Sequence, residues 1–170
     1  MKDKKSDTEE KLEENQSNKK EYHLVVFKLG DEEFGVDINS VREIIRYPQI
    51  TRVPNSPRYV LGVINLRGQI TTMISLRERF NMEKMEETDD TRALIVEMED
   101  EMIGILVDSV SEVIKVDSES VQSPKENNTM VYKDYIYGLA KVGERLIILL
   151  DLKLSFDKEE LAKIKEKNKL

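Results

Sequence analysis

The chain has 170 residues, with 27 Lys and Arg against 34 Asp and Glu, a formal charge of −7. That acidic balance excludes a nucleic-acid binder, because phosphate affinity needs clustered surplus cations. With no Cys and a single His, disulfides, thiolate nucleophiles, Cys-based metal centres and multi-His sites are excluded, and neither metal nor cofactor is expected.

The length fits one or two small domains. No stretch approaches the roughly 18 to 20 apolar residues of a bilayer-spanning helix, so the protein is predicted to be cytoplasmic, without membrane insertion. Residues 1–21 carry only Met1 and Leu12 as apolar side chains, among six Lys and seven acids. Such a segment cannot bury enough surface to offset its ordering entropy, and a disordered charged tail is expected.

From Tyr22 the texture changes. Leu24, Val25, Val26, Phe27 and Leu29 read as a strand ending at a Gly30-Asp31 turn, and Phe34 to Ile38 resumes the alternation, giving a hairpin. Ser40 three residues before Glu43, with Val41, Ile44 and Ile45 at i, i+3 and i+4, predicts a short capped helix. Ile50 to Val53 reads as a strand closed by Pro54 and Pro57. Two further β-rich runs, Tyr59 to Leu66 and Ile70 to Leu76, are joined by Arg67-Gly68-Gln69, where Gly permits a tight turn.

After a charged linker over 81–92 the pattern starts again. Leu24 to Arg46 aligns with Ala93 to Lys115 at a constant offset of 69, with seven identities in 23 positions, among them Gly35 with Gly104 and Glu43 with Glu112. A second block, Gly62 to Leu76, aligns with Gly138 to Leu152 at an offset of 76. The chain is therefore a degenerate tandem duplication, with repeats over 22–80 and 93–156. Each repeat has strands enough for a small barrel, whose closure removes exposed edges. Residues 157–170 are Lys- and Glu-rich, and Asp157 with Glu160 predicts a short C-terminal helix or tail. A pseudo-twofold would place a groove between the barrels.

Neither a phosphate-binding loop nor a dinucleotide turn is present. Asp37 and Asp108 are the candidates for an aspartic dyad, but they are not equivalent in the duplication and neither lies in a D-[ST]-G setting. His23 reads as a surface histidine. Glu43 and Glu112 are candidate helix caps and candidate acidic contacts for a partner. Arg67, on a Gly-supported tip, is either a solvated turn residue or a forked donor to a partner acid. Ile38, Val41 and Ile44 are either core residues or the floor of a groove that takes an apolar helix face. No converging set of polar groups suggests catalysis; a small carboxylate enzyme or ligand-binding barrel is the contrasting reading.

The runs Gly30 to Ile38, Val41 to Ile44, Ile50 to Pro54, Gly62-Val63-Ile64-Asn65-Leu66-Arg67-Gly68, Gly104 to Val113 and Arg145 to Asp151 together resemble the CheW-type chemotaxis adaptors. The match runs in order from about Leu24 to Leu154. The resemblance implies a mainly all-β fold of two tandem SH3-like five-stranded β-barrels with short helices. It implies a non-enzymatic scaffold in two-component signal transduction, joining the cytoplasmic tip of methyl-accepting chemoreceptors to the regulatory domain of the histidine kinase CheA, and recruited to chemoreceptor arrays. A CheW-like scaffold for another receptor–kinase pathway is the alternative. By the same resemblance the receptor tip docks at Ile38, Val41, Ile44, Leu66 and Arg67, while the kinase meets the end of a barrel through residues that are not assigned. The chain departs from the family pattern at Thr72 and Ser75, where Pro and Asp are common.

Overall fold

A computed structural model describes residues 21–123 and 135–169. The tail expected over 1–21 therefore lies outside the described residues, except for Glu21, which opens the first strand. The strands are β1 (Glu21–Leu29), β2 (Glu32–Asp37), β3 (Val41–Arg46), β4 (Val60–Leu66), β5 (Gln69–Ser75), β6 (Arg92–Met98), β7 (Glu101–Val107), β8 (Ser109–Asp117), β9 (Val121–Gln122), β10 (Ile136–Val142) and β11 (Arg145–Leu150). Helix α1 spans Leu76–Arg79 and α2 spans Lys158–Lys167. The all-β class and the two barrel-like sheets expected of the chain are what it has.

The duplication is written into the hydrogen bonding in an exchanged form. Sheet A runs β8-β1-β2-β11-β10-β9 and sheet B runs β3-β6-β7-β5-β4. Each sheet thus takes the leading hairpin of one repeat and the trailing strands of the other. The spans 22–80 and 93–156 are repeats in sequence, but neither closes a barrel alone. The joints are parallel pairings at equivalent positions: Gly35 faces Leu149 in sheet A, and Gly104 faces Met73 in sheet B. Exchange lets every central strand bury both faces. In β1, Leu24 and Val26 fill the interior of sheet A, whereas Val25, Phe27 and Leu29 enter the seam between the sheets. In β6, Ala93 lies inside sheet B, and Leu94, Val96 and Met98 enter the same seam. The largest apolar cluster is this seam, so the groove expected between the barrels is filled at depth.

Two local expectations are corrected. Residues 40–45 are not a helix: a single 3-10 turn at Ile38–Ser40 leads directly into β3, whose burial alternates residue by residue. Six residues contain too few turns to separate the two periods, and cross-strand pairing with β6 decides for the strand. Residues 50–53 make only one bridge, in which Thr51 and Val63 exchange backbone hydrogen bonds of 2.9 and 2.8 Å. Gly62, at φ +145, permits that approach, since a Cβ there would lie 2.1 Å from the Thr51 carbonyl oxygen. In the second repeat β9 takes the equivalent place beside β10.

Two aromatic contacts join the repeats reciprocally. Phe80 stacks on Tyr135 with ring centroids 5.0 Å apart, and Tyr59 packs on Phe156 at 6.1 Å. Both Tyr and both Phe are related by the offset of 76, three residues before and four residues after the aligned block. Helix α2 begins with the expected Asp157–Glu160 capping box and buries Ile164 in the seam.

Candidate partner-binding site

Hairpin β4–β5 turns through Arg67 and Gly68, both with positive φ (51 and 84), the backbone of a type I′ turn. The Gly68 N–H donates to Asn65 Oδ1 at 3.0 Å, which braces the tip. From that tip the Arg67 Nη2 donates to Glu43 Oε2 at 2.6 Å. The arginine side chain remains 78% exposed and the glutamate 22%, so Arg67 has donors free for solvent or a partner while the carboxylate faces inward. Glu43 Oε1 is buried without a hydrogen-bond partner. The helix-cap reading of Glu43 is therefore replaced by an ion pair that bridges the closing edges of sheet B.

Strand alternation sorts the other candidates. Val41, Glu43 and Ile45 lie half-buried on the inner side of β3; Arg42, Ile44 and Arg46 face outward. Ile45 packs with Ile64 and Leu66 inside sheet B, whereas Ile38 and Val41 pack against the seam. Ile44 is 40% exposed. Of the apolar residues predicted to receive a receptor, Ile44 is thus the one displayed openly, next in sequence to Glu43. Ile38 and Val41 are partly buried against the seam, and Leu66 is partly buried inside sheet B.

Sheet A carries the counterpart. Arg145 Nε and Nη2 donate to Glu33 at 3.0 and 2.9 Å, and Nη1 approaches Glu112 Oε1 at 2.5 Å. Glu112 therefore also pairs with an arginine from a hairpin rather than capping a helix. Hydrogen bonds from Arg145 outweigh burial and hold the Glu33 carboxyl below its usual range.

The proposed aspartic pair is separated in role. Asp37 accepts the Asn39 N–H at 2.8 Å in the 3-10 turn. Asp108 takes a fork from Arg77, with Nε and Nη2 donating at 2.7 and 2.6 Å, and the Gly30 N–H at 2.7 Å. Burial pushes the Asp108 carboxyl up, but the hydrogen bonds from Arg77 and Gly30 prevail and keep it below the ordinary carboxylate value. Arg77 also donates to the Glu83 carbonyl at 2.7 Å, pinning the connection between β5 and β6. His23 is exposed, 3.7 Å from Glu21, and no cluster of metal-ligating side chains occurs among the described residues. Among them, too, no helix is long and apolar enough to cross a membrane.

A feature the sequence reading missed is an open cleft of about 1040 Å³ between the 47–58 connection and residues 84–91, with Ile50, Val53 and Leu61 in its lining and Tyr47 and Met85 exposed beside it. The departures at Thr72 and Ser75 have local roles. Ser75 caps α1 by accepting the Glu78 N–H at 3.3 Å, and Thr72 is bonded to Asn168 of the C-terminal segment.

Comparison with known proteins agrees with this architecture. The CheW-like domain family matches residues 23–160. The chemotaxis protein CheW of Klebsiella aerogenes is 36% identical over 139 residues, covering 82% of this chain and 84% of that protein. The Treponema pallidum chemotaxis protein CheW is 36% identical over 151 residues, covering 86% and 89%. The crystal structure of the scaffolding protein TtCheW from Thermoanaerobacter tengcongensis superposes with a TM-score of 0.74 at 36% identity, over 81% of this chain and 94% of that one. The exchanged barrel-like sheets and the extent of these matches show that the chain belongs to the CheW family of chemotaxis adaptors, the scaffolds that couple receptors to the kinase CheA.

Proposed function

We propose that this adaptor joins the cytoplasmic tip of a chemoreceptor to the regulatory domain of CheA and carries out no bond-making chemistry of its own. The family it belongs to is a non-catalytic one. The receptor tip docks on the surface presented by Ile44 and Arg67, together with the partly buried Ile38, Val41 and Leu66, and the kinase domain meets the end of a barrel. In this reading Glu43 holds Arg67 in place rather than contacting the partner. The protein works in the cytoplasm, recruited to receptor arrays.

The observation that carries this reading is the display, on the closing edges of one sheet, of an exposed isoleucine next in sequence to Glu43 and of the fixed but solvent-facing guanidinium that Glu43 holds. An apolar contact flanked by a charge-assisted donor suits the amphipathic face of a helical hairpin. Titration of the full chain with a receptor tip fragment and, separately, with the CheA regulatory domain tests it. Binding to both at micromolar concentrations is expected, with Ile44→Asp reducing only the first. Failure to bind either fragment overturns the proposal.

A further inference from the structure

The two parallel joints that unite the repeats are equivalent in position and unequal in chemistry. At the joint in sheet A, β11 contributes Ile147 and Ile148, and both enter the apolar core. The residues related to them by the offset of 76 are Thr71 and Thr72 of β5, both fully buried at the joint in sheet B. The Thr71 hydroxyl has no hydrogen-bond partner there. Sheet B is thus joined through a strand whose buried side chains carry hydroxyls where its counterpart carries methyl groups, an intrinsically weaker seal.

The C-terminal helix compensates at that spot. Asn168, its cap residue, accepts the Thr72 N–H at 2.8 Å and the Thr72 hydroxyl at 2.6 Å through Oδ1. Its Nδ2 donates to Glu101 Oε2 and to the Met102 carbonyl, both at 3.0 Å. One side chain therefore ties β5 to β7 across the joint. A ten-residue helix is too short to persist alone in water, so its order depends on this docking. At its other end Glu160 pairs with Arg79 at 3.1 Å, and the Arg79 guanidinium lies over the rings of Tyr59 and Phe156.

We propose that α2 is a strap that holds the β5–β7 joint closed through Asn168, so that lifting the helix opens sheet B at this joint while sheet A stays paired. Because β5 runs out of the Arg67–Gly68 turn, opening it also loosens the hairpin that reaches Glu43. The relevance of that loosening to receptor docking rests on the function proposed above; the opening itself does not.

Hydrogen exchange on the full chain, without any partner, tests the strap. Asn168→Ala is expected to accelerate amide exchange in β5 and β7 by about tenfold or more, while β10 and β11 change by less than about twofold. Thr72→Val, which keeps the N–H bond and loses the hydroxyl bonds, is expected to give a smaller acceleration in the same two strands and serves if Asn168→Ala does not fold. Equal acceleration in both sheets, or none in β5 and β7, overturns the proposal. Since no partner is present, loss of the receptor-docking reading would leave this outcome unaffected.

Discussion

Arg67 leaves edge strand β4 and Glu43 lies on the opposite edge strand β3, yet their side chains meet at 2.6 Å. Sheet B therefore curls until its two edge strands approach each other, and this pair is a clasp across the closure. Ile45 packing against Ile64 and Leu66 is the apolar part of the same closure.

A double-mutant cycle measures that clasp. Arg67→Ala and Glu43→Gln are each expected to cost about 1 kcal/mol or less in denaturant unfolding, because the arginine is largely exposed. Their coupling is expected at about 0.5 kcal/mol. Both variants should bind a receptor tip fragment more weakly, since the guanidinium is either absent or unanchored. Zero coupling would show that the contact does not hold the edges together.

Val41 and Ile44 separate support from contact. Val41→Asp places a charge against the seam cluster and is expected to lower stability by about 3 kcal/mol or more. Ile44→Asp, on the exposed face, is expected to cost about 1 kcal/mol at most, leaving the circular dichroism spectrum unchanged while receptor binding falls. The opposite ranking of melting midpoints would place Ile44 in the core.

Acid should weaken the fold through Asp108 and Glu33. Both carboxyls are held below their usual range in the folded chain. Their stabilising contribution is therefore complete above the unfolded-state values, near pH 4, and is lost as pH falls through the lower folded-state values. Asp108→Asn removes part of that dependence. It is expected to cost about 3 kcal/mol at pH 7, because Arg77 is left with its main partner gone in a nearly buried site, and to flatten the stability curve between about pH 5 and 2. An unchanged acid limb would show that Asp108 does not carry it.

Thr71→Val should stabilise the protein. The hydroxyl is buried without a partner, and a near-isosteric methyl group removes its desolvation cost, giving an expected gain of about 1 kcal/mol in chemical unfolding. A loss instead would mean that the hydroxyl is satisfied.

The repeats, the strand-rich class and most strand positions were legible, because apolar alternation and turn glycines are local signals. The reciprocal Tyr59–Phe156 and Phe80–Tyr135 contacts were within reach too, since the offset of 76 extends to them. Strand exchange was not legible: the offsets are identical whether a hairpin pairs within its own repeat or across to the other. The misreading of β3 had a specific source. Glu43 is a charged residue on an inner face, and only the distant Arg67 makes it acceptable there, so the alternation was hidden. The resemblance named Ile44 and Arg67 as site residues, and Glu43 lies next to Ile44 in the sequence, but the pairing of Glu43 with Arg67 required the tertiary fold.

The most direct measurement is CheA autophosphorylation in a reconstituted mixture of receptor, kinase and the full chain. Activation that depends on the chain, and that Ile44→Asp or Arg67→Glu abolishes while the chain remains folded, is the expected result. No activation by the unaltered chain, or full activation by both variants, would contradict the account.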